Sequence, residues 1–267
     1  MSIQFVNCMD TLKKIVSYIS NKSPGIYLRF GDGDFNLAEN KDELLATANP
    51  ELQKLILNSM SIRDDRVMIC IPHHCKDNST LEPGMYPGNH EYPYEYIQRF
   101  LSILSKTQPL PSEIYTNIAL SYGSVYFPDM VIQLHKEIQK FPVIFIGNNL
   151  YDDAFLNKLF GKVVRINTPP NNAFHSFNDV FSQLDILIQN YNDYFVIILA
   201  AGCASRAFVS SIYPYFVQNP NFFVFDYGSL LDYLYGLNTR AYMDLMPPKK
   251  DYILQQLTFS SHDNSLI

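Results

Sequence analysis

The chain has 267 residues, of which 47% are hydrophobic and 17% charged, and it carries a formal net charge of −6. That length allows one large domain or two small ones, with enough apolar residues to bury a core without covalent staples. The acidic balance lacks the basic face of a general nucleic-acid binder, so any anionic ligand needs a local remedy such as a metal ion or a helix N-terminus.

From the N-terminus, residues 1–14 are too polar for a leader peptide. Met9, Leu12, Ile15, Val16 and Ile19 then recur at helical spacing. Gly25 breaks the pattern, and residues 26–30 read as a strand. Pro50 suits the first turn of a helix that continues through Leu52, Leu55 and Ile56. Residues 66–71 form a second expected strand, stopped by Pro72. Residues 72–93 are rich in Pro, Gly, His and Asn and read as a long loop. Tyr96, Ile97, Phe100, Leu101 and Leu104 mark another helix.

In the second half, strands are expected at 142–147, 162–166, 194–202 and 221–226. Helices are expected at 151–160, through Val180 to Ile188, and from Ser229. Strands that are apolar throughout are covered on both faces, which implies a largely parallel sheet. Alternation with helices makes this an α/β protein: a single Rossmann-like domain, its sheet flanked by helices, over residues 1–246. Residues 247–267 are expected to be a peripheral tail. The longest apolar run, residues 194–201, is far short of the roughly 20 residues of a membrane helix. Four cysteines are too few for a disulfide scaffold, so a cytoplasmic chain with no membrane span is expected.

Ligands of such a fold bind at the carboxyl ends of the strands. The first candidate there is Arg29-Phe30-Gly31-Asp32-Gly33-Asp34-Phe35. Asp32 and Asp34 put two carboxylates near one hard divalent cation, and Arg29 offers a fixed positive charge to a phosphate. An Asp-Gly-Asp is equally an ordinary solvated turn. The second is Gly147-Asn148-Asn149-Leu150-Tyr151-Asp152-Asp153, which either binds a ligand at a helix N-terminus or merely caps the helix. Asn172 lies in a Pro-Pro loop after the next strand. Gly202, Cys203 and Ala204 follow the most apolar strand, where small residues admit a ligand or serve tight packing. Cys203 reads as a small buried residue. Asp226 ends the last strand and Asp232 lies in the helix after it, so either is a candidate general base. A competing cluster of Cys70, His73, His74, Cys75 and His90 has zinc-type ligands at no standard spacing.

Taken in order, these segments resemble the GT-D-fold glycosyltransferases, bacterial enzymes that extend a glycan using UDP-sugars. RFGDGDF, residues 29–35, matches that family's Arg-Phe-Gly-Asp-Gly-Glu-Phe with Asp34 in place of Glu. PPNNAF, residues 169–174, matches its Pro-x-x-Asn-Ala-Phe segment. NNLYDDA, IILAAGCAS and DYGS match more loosely, with Asn148 and Ser229 standing where the family usually has an acid and a His. The resemblance spans roughly residues 10–236.

The resemblance implies a GT-D-like fold and a metal-dependent transfer of sugar from a UDP-sugar to a hydroxyl of a glycan, glycoprotein or glycolipid acceptor. It implies Mn²⁺ or Mg²⁺ at Asp32 and Asp34, with donor contacts from Arg29, Gly31, Gly33, Asn148, Asn149, Asn172, Gly202, Cys203 and Ala204. Asp232 or Asp226 would be the base, and a homo-oligomer is compatible. The alternatives are a non-catalytic nucleotide-sugar-binding module and a zinc-dependent hydrolase.

Overall fold

Side chains that alternate along the strands feed two separate cores, and this decides the architecture. In the computed structural model, which describes residues 3–72, 94–106, 108–237, 239 and 248–257, Ile26 and Leu28 enter one core while Tyr27 between them enters the other. Ile144 and Ile146 likewise face away from Val143 and Phe145. The strands are β1 (Gln4–Val6), β2 (Gly25–Arg29), β3 (Val67–Ile71), β4 (Glu113–Thr116), β5 (Val143–Asn148), β6 (Val163–Thr168), β7 (Phe195–Ala200) and β8 (Phe222–Asp226). They form one sheet in the order β1-β4-β3-β2-β8-β7-β5-β6, and every pairing is parallel. The expected α/β class and parallel sheet are therefore observed.

One face carries α2 (Asp32–Ala38), α3 (Pro50–Met60), α4 (Tyr94–Ser105), α8 (Phe177–Asn190) and α9 (Ala204–Gln218). The other carries α1 (Cys8–Ser20), α5 (Ala119–Tyr126), α6 (Pro128–Ile138), α7 (Asp153–Phe160) and α10 (Leu230–Tyr235). This division opens the binding crevice. The chain leaves β2 and β7 toward one face, but leaves their neighbours β8 and β5 toward the other. Loops that part in opposite directions leave a gap above the carboxyl ends of the strands.

Four features depart from the sequence expectation. β1 and β4 are strands of three and four residues, too short to show a pattern. Helices α5 and α6 fill a stretch for which the sequence predicts no element. The Asp-Gly-Asp segment is no open turn: Gly31 is the N-cap of α2, with Asp32 and Asp34 in its first turn. The part of residues 247–267 that is described includes the helix Lys250–Gln256, which buries Ile253 and, just beyond it, Leu257 fully in the second core. His73, His74, Cys75 and His90 lie outside the described residues.

Candidate active site

Arg29 and Asp226 end adjacent strands, so the parallel register brings them together at the centre of the crevice. Asp226 is 2% exposed, and its Oδ2 lies 2.7 Å from Arg206 Nη1 and 3.6 Å from Arg29 Nε. Arg206, in the first turn of α9, also donates from Nη2 to Asp34 Oδ2 at 2.9 Å. The same Asp34 oxygen accepts the Gly31 N–H at 2.7 Å, closing the start of α2. Four alternating charges, Arg29, Asp226, Arg206 and Asp34, thus run across β2, β8 and the two following helices. Burial alone would pull the Arg206 guanidinium down, but Asp226 and Asp34 more than offset it and push it up. Burial pushes Asp34 up from the usual carboxylate range, against the pull of Arg206 and the Gly31 N–H.

Gly228 makes room for this line. Its φ is +78°, and a Cβ there would collide with the Arg29 guanidinium. The Arg29 guanidinium therefore lies directly on the Gly228 backbone, with Nη1 donating to the Tyr227 carbonyl at 3.4 Å. His135 is fully buried and bonded to Leu159 and to Tyr227, the residue before Gly228. A carbonyl only accepts, so Nδ1 donates to Leu159 O and Nε2 accepts the Tyr227 hydroxyl, at 3.1 and 2.9 Å. Burial lowers the His135 pKa to about 4, which keeps the ring neutral.

The other flank is built from β5, β6 and α10. Arg165 of β6 donates to the carbonyls of Asn148 and Tyr151, fastening the turn after β5. Asn148 Oδ1 accepts the Leu150 N–H at 2.9 Å in the same turn, and Asp152 caps α7 by accepting the Phe155 N–H at 2.7 Å. The buried Tyr151 then reaches across to Asp232, its hydroxyl donating to Oδ1 at 2.5 Å. Thr239 donates to the other Asp232 oxygen at 2.7 Å.

Together these groups enclose a cleft of about 300 Å³. Its walls bring together most of the residues singled out in the sequence: Arg29, Gly31, Asp32, Gly33, Asp34, Asn148, Gly202, Cys203, Ala204, Asp226 and Asp232. Asn149 and Asn172 are not in its lining. Asn149 is exposed. Asn172 is turned to the neighbouring loop, donating its N–H to Leu45 O and accepting the Thr47 N–H. Asp226 serves as counter-charge to two arginines, so of the two candidate bases Asp232 is the one free of an ion pair among the described residues. Cys203, expected to be buried, is partly exposed in the cleft wall, and desolvation, then Asp34, push its thiol well above its ordinary range. Cys70 of the competing cluster is fully buried, its Sγ donating to the Met68 carbonyl.

Sequence reasoning missed Arg206, Glu43 and Asn117, and gave Tyr151, inside the second candidate segment, no role of its own; all four are in the cleft wall. Arg206 had a signal: a charge in a run of otherwise small or apolar residues, Ala204 to Val209, must be buried with partners. Glu43 had none, since only the fold carries its carboxylate over the first turn of α2. A Cβ on Gly33 would lie 3.1 Å from both Glu43 Oε2 and Cys203 Sγ.

The cleft is predominantly acidic, with Asp32, Asp34, Glu43, Asp226 and Asp232 outnumbering Arg29 and Arg206. Asp34 Oδ1 is buried with no hydrogen-bond partner among the described residues, and Asp32 beside it is exposed. This oxygen-only pair fits a hard divalent cation whose remaining ligands come from a substrate. Among the described residues no group of three or more His, Cys, Asp or Glu side chains converges as a metal site.

No family model and no curated protein matches the chain. Its fold is similar to solved structures. One, described as a new glycosyltransferase (DUF1792) from Streptococcus sanguinis, aligns with a TM-score of 0.66 over 98% of this chain and 96% of that one, at 16% identity. A second, described as domain of unknown function 1792 with a distinct glycosyltransferase fold, aligns with a TM-score of 0.60 over 85% and 78% of the two chains, at 14% identity. The chain thus shares the α/β fold of those structures, over nearly its whole length in the case of the first.

Proposed function

We propose that the chain is a glycosyltransferase that moves a sugar from a UDP-sugar to a hydroxyl of a glycan acceptor. The observation that carries this is the cleft itself. It lies at the parting of the loops and joins an arginine on a glycine backbone, a first-turn carboxylate pair and a separate half-buried carboxylate. The glycosyltransferase descriptions of the structures that share the fold support it. Arg29 would contact the diphosphate, and Gly202 to Ala204 would let the nucleotide approach the backbone. Asp32 and the unpartnered oxygen of Asp34 would hold Mn²⁺ or Mg²⁺, which as a Lewis acid would neutralise charge on the leaving diphosphate. Asp232 would take the acceptor proton.

The test is UDP release from UDP-glucose, UDP-galactose and UDP-N-acetylglucosamine with Mn²⁺. Turnover by the native protein, lost on Asp32→Ala while the thermal unfolding curve is unchanged, is the expected result. Full activity of Asp32→Ala in chelator-treated buffer would remove the metal role. Tight UDP binding without turnover would make the chain a binding module instead, a reading favoured by the commitment of Asp226 and one Asp34 oxygen to Arg206.

A further inference from the structure

We propose that Tyr151 is a positioning residue, whose hydroxyl fixes the Asp232 carboxylate in the orientation needed to receive the acceptor proton. The inference rests on the glycosyltransferase reading and on Asp232 as base. Three observations carry it.

First, Tyr151 is itself immobilised. It is 4% exposed, and its ring packs edge-on against Phe145 and Tyr235, with centroids 6.0 and 5.4 Å away. Its carbonyl accepts Arg165 Nη1 at 2.6 Å, which anchors the turn to β6. Second, the hydroxyl meets Asp232 Oδ1, and both residues line the cleft. The contact spans two elements that leave the sheet separately, the turn after β5 and helix α10. A carboxylate on a six-residue helix is thereby tied to the rigid side of the crevice. Third, Tyr151 keeps its own proton and donates it to the Asp232 carboxylate. Burial, and then the bond to Asp232, push its hydroxyl far above the usual phenol range, so it does not compete for the proton.

In the transfer step the bond between the anomeric carbon and the UDP oxygen breaks, and its electron pair leaves with UDP. The acceptor oxygen bonds to that carbon, and its proton passes to Asp232. A hydrogen bond to one carboxylate oxygen fixes the plane of the group, and small errors in that plane are costly to rate.

The test is Tyr151→Phe, which removes one oxygen and keeps the ring. UDP release from the three UDP-sugars with Mn²⁺ should fall in kcat by roughly tenfold or more, with the donor KM within about twofold of native. In an Asp232→Asn background the same substitution should cause no further loss, because Tyr151 acts through Asp232. Native kcat in Tyr151→Phe, or an equal loss in both backgrounds, would overturn the positioning role and leave the glycosyltransferase reading standing. A native protein inert toward all three donors would overturn both. A lowered unfolding temperature with unchanged kcat would identify the hydroxyl as purely structural.

Discussion

At the scale of single residues, the site is a problem in charge accounting. Arg206 sits 5% exposed between two buried carboxylates, and both would face each other without it. Removing one member of a buried charge network costs far more than the network contributes net, because uncompensated charge stays behind. Arg206→Met should therefore destabilise the fold by about 3–5 kcal/mol, measured by urea denaturation. Arg206→Lys should recover only part of this, since an ammonium cannot span Asp34 and Asp226 as the guanidinium fork does. Equal stability of Arg206→Met and native protein would refute the network. Gly228 is the second such residue. Gly228→Ala adds a methyl group where the Arg29 guanidinium lies, at a backbone angle that L-residues resist by about 1–2 kcal/mol. UDP affinity should fall by roughly tenfold or more as Arg29 is displaced, read by calorimetry; unchanged affinity would take Arg29 out of the phosphate site. Much of this was legible in the sequence. Arg29, Asp32, Asp34, Asp226 and Asp232 stand in segments that end strands or open helices. The pairing among them was not, because it depends on β2 lying beside β8, nearly 200 residues later.

At the scale of elements, long apolar strands and amphipathic helices declared themselves, whereas short or fully packed ones did not. β7 is a six-residue apolar run and β5 opens with four apolar residues before Gly147, so each has one reading. β4, Glu-Ile-Tyr-Thr, is too short for a period and becomes a strand only because β1 and β3 flank it. Helix α2 was hidden because Gly and Asp suggest a turn. Its start is instead stabilised by the Asp34 carboxylate reaching back to the Gly31 N–H. The C-terminal segment shows the opposite error. Its polar composition suggests a loose tail, but a few apolar anchors, Ile253 and Leu257 above all, are enough to dock a two-turn helix. Ile253 is fully buried, and the Lys249 N–H donates to Ser124 O of α5. Ile253→Ala should cost about 2–5 kcal/mol, as for other large-to-small core changes. A cost within about 0.5 kcal/mol, the range of ordinary surface substitutions, would show that the helix is dispensable to the fold.

At the scale of the whole molecule, the parallel sheet with helices on both faces was readable, but the strand order was not. Composition and periodicity say that strands are buried on both faces; they do not say which strands are neighbours. That order decides where the crevice opens, and it also buries His135 against the end of β8. The ring makes the stability of the molecule depend on pH. Its folded pKa of about 4 lies below the ordinary 6.5, so the native state excludes a proton that the unfolded chain accepts. Above pH 6.5 both states are neutral and the difference vanishes. As pH falls from 6.5 toward 4, the unfolded state is favoured by up to about 1.4 kcal/mol per pH unit from this group, levelling below pH 4. The total is about 3 kcal/mol. Paired carboxylates such as Asp64, held low first by its bond to Arg66, lose their contribution only below that window. Urea denaturation at pH 7, 5.5 and 4.5 separates the two effects. His135→Asn, whatever its stability at pH 7, should show a shallower fall between pH 6.5 and 4.5 than the native chain. A parallel fall in both would mean that His135 is protonated in the folded protein, and that its bonds to Leu159 and Tyr227 do not hold it neutral.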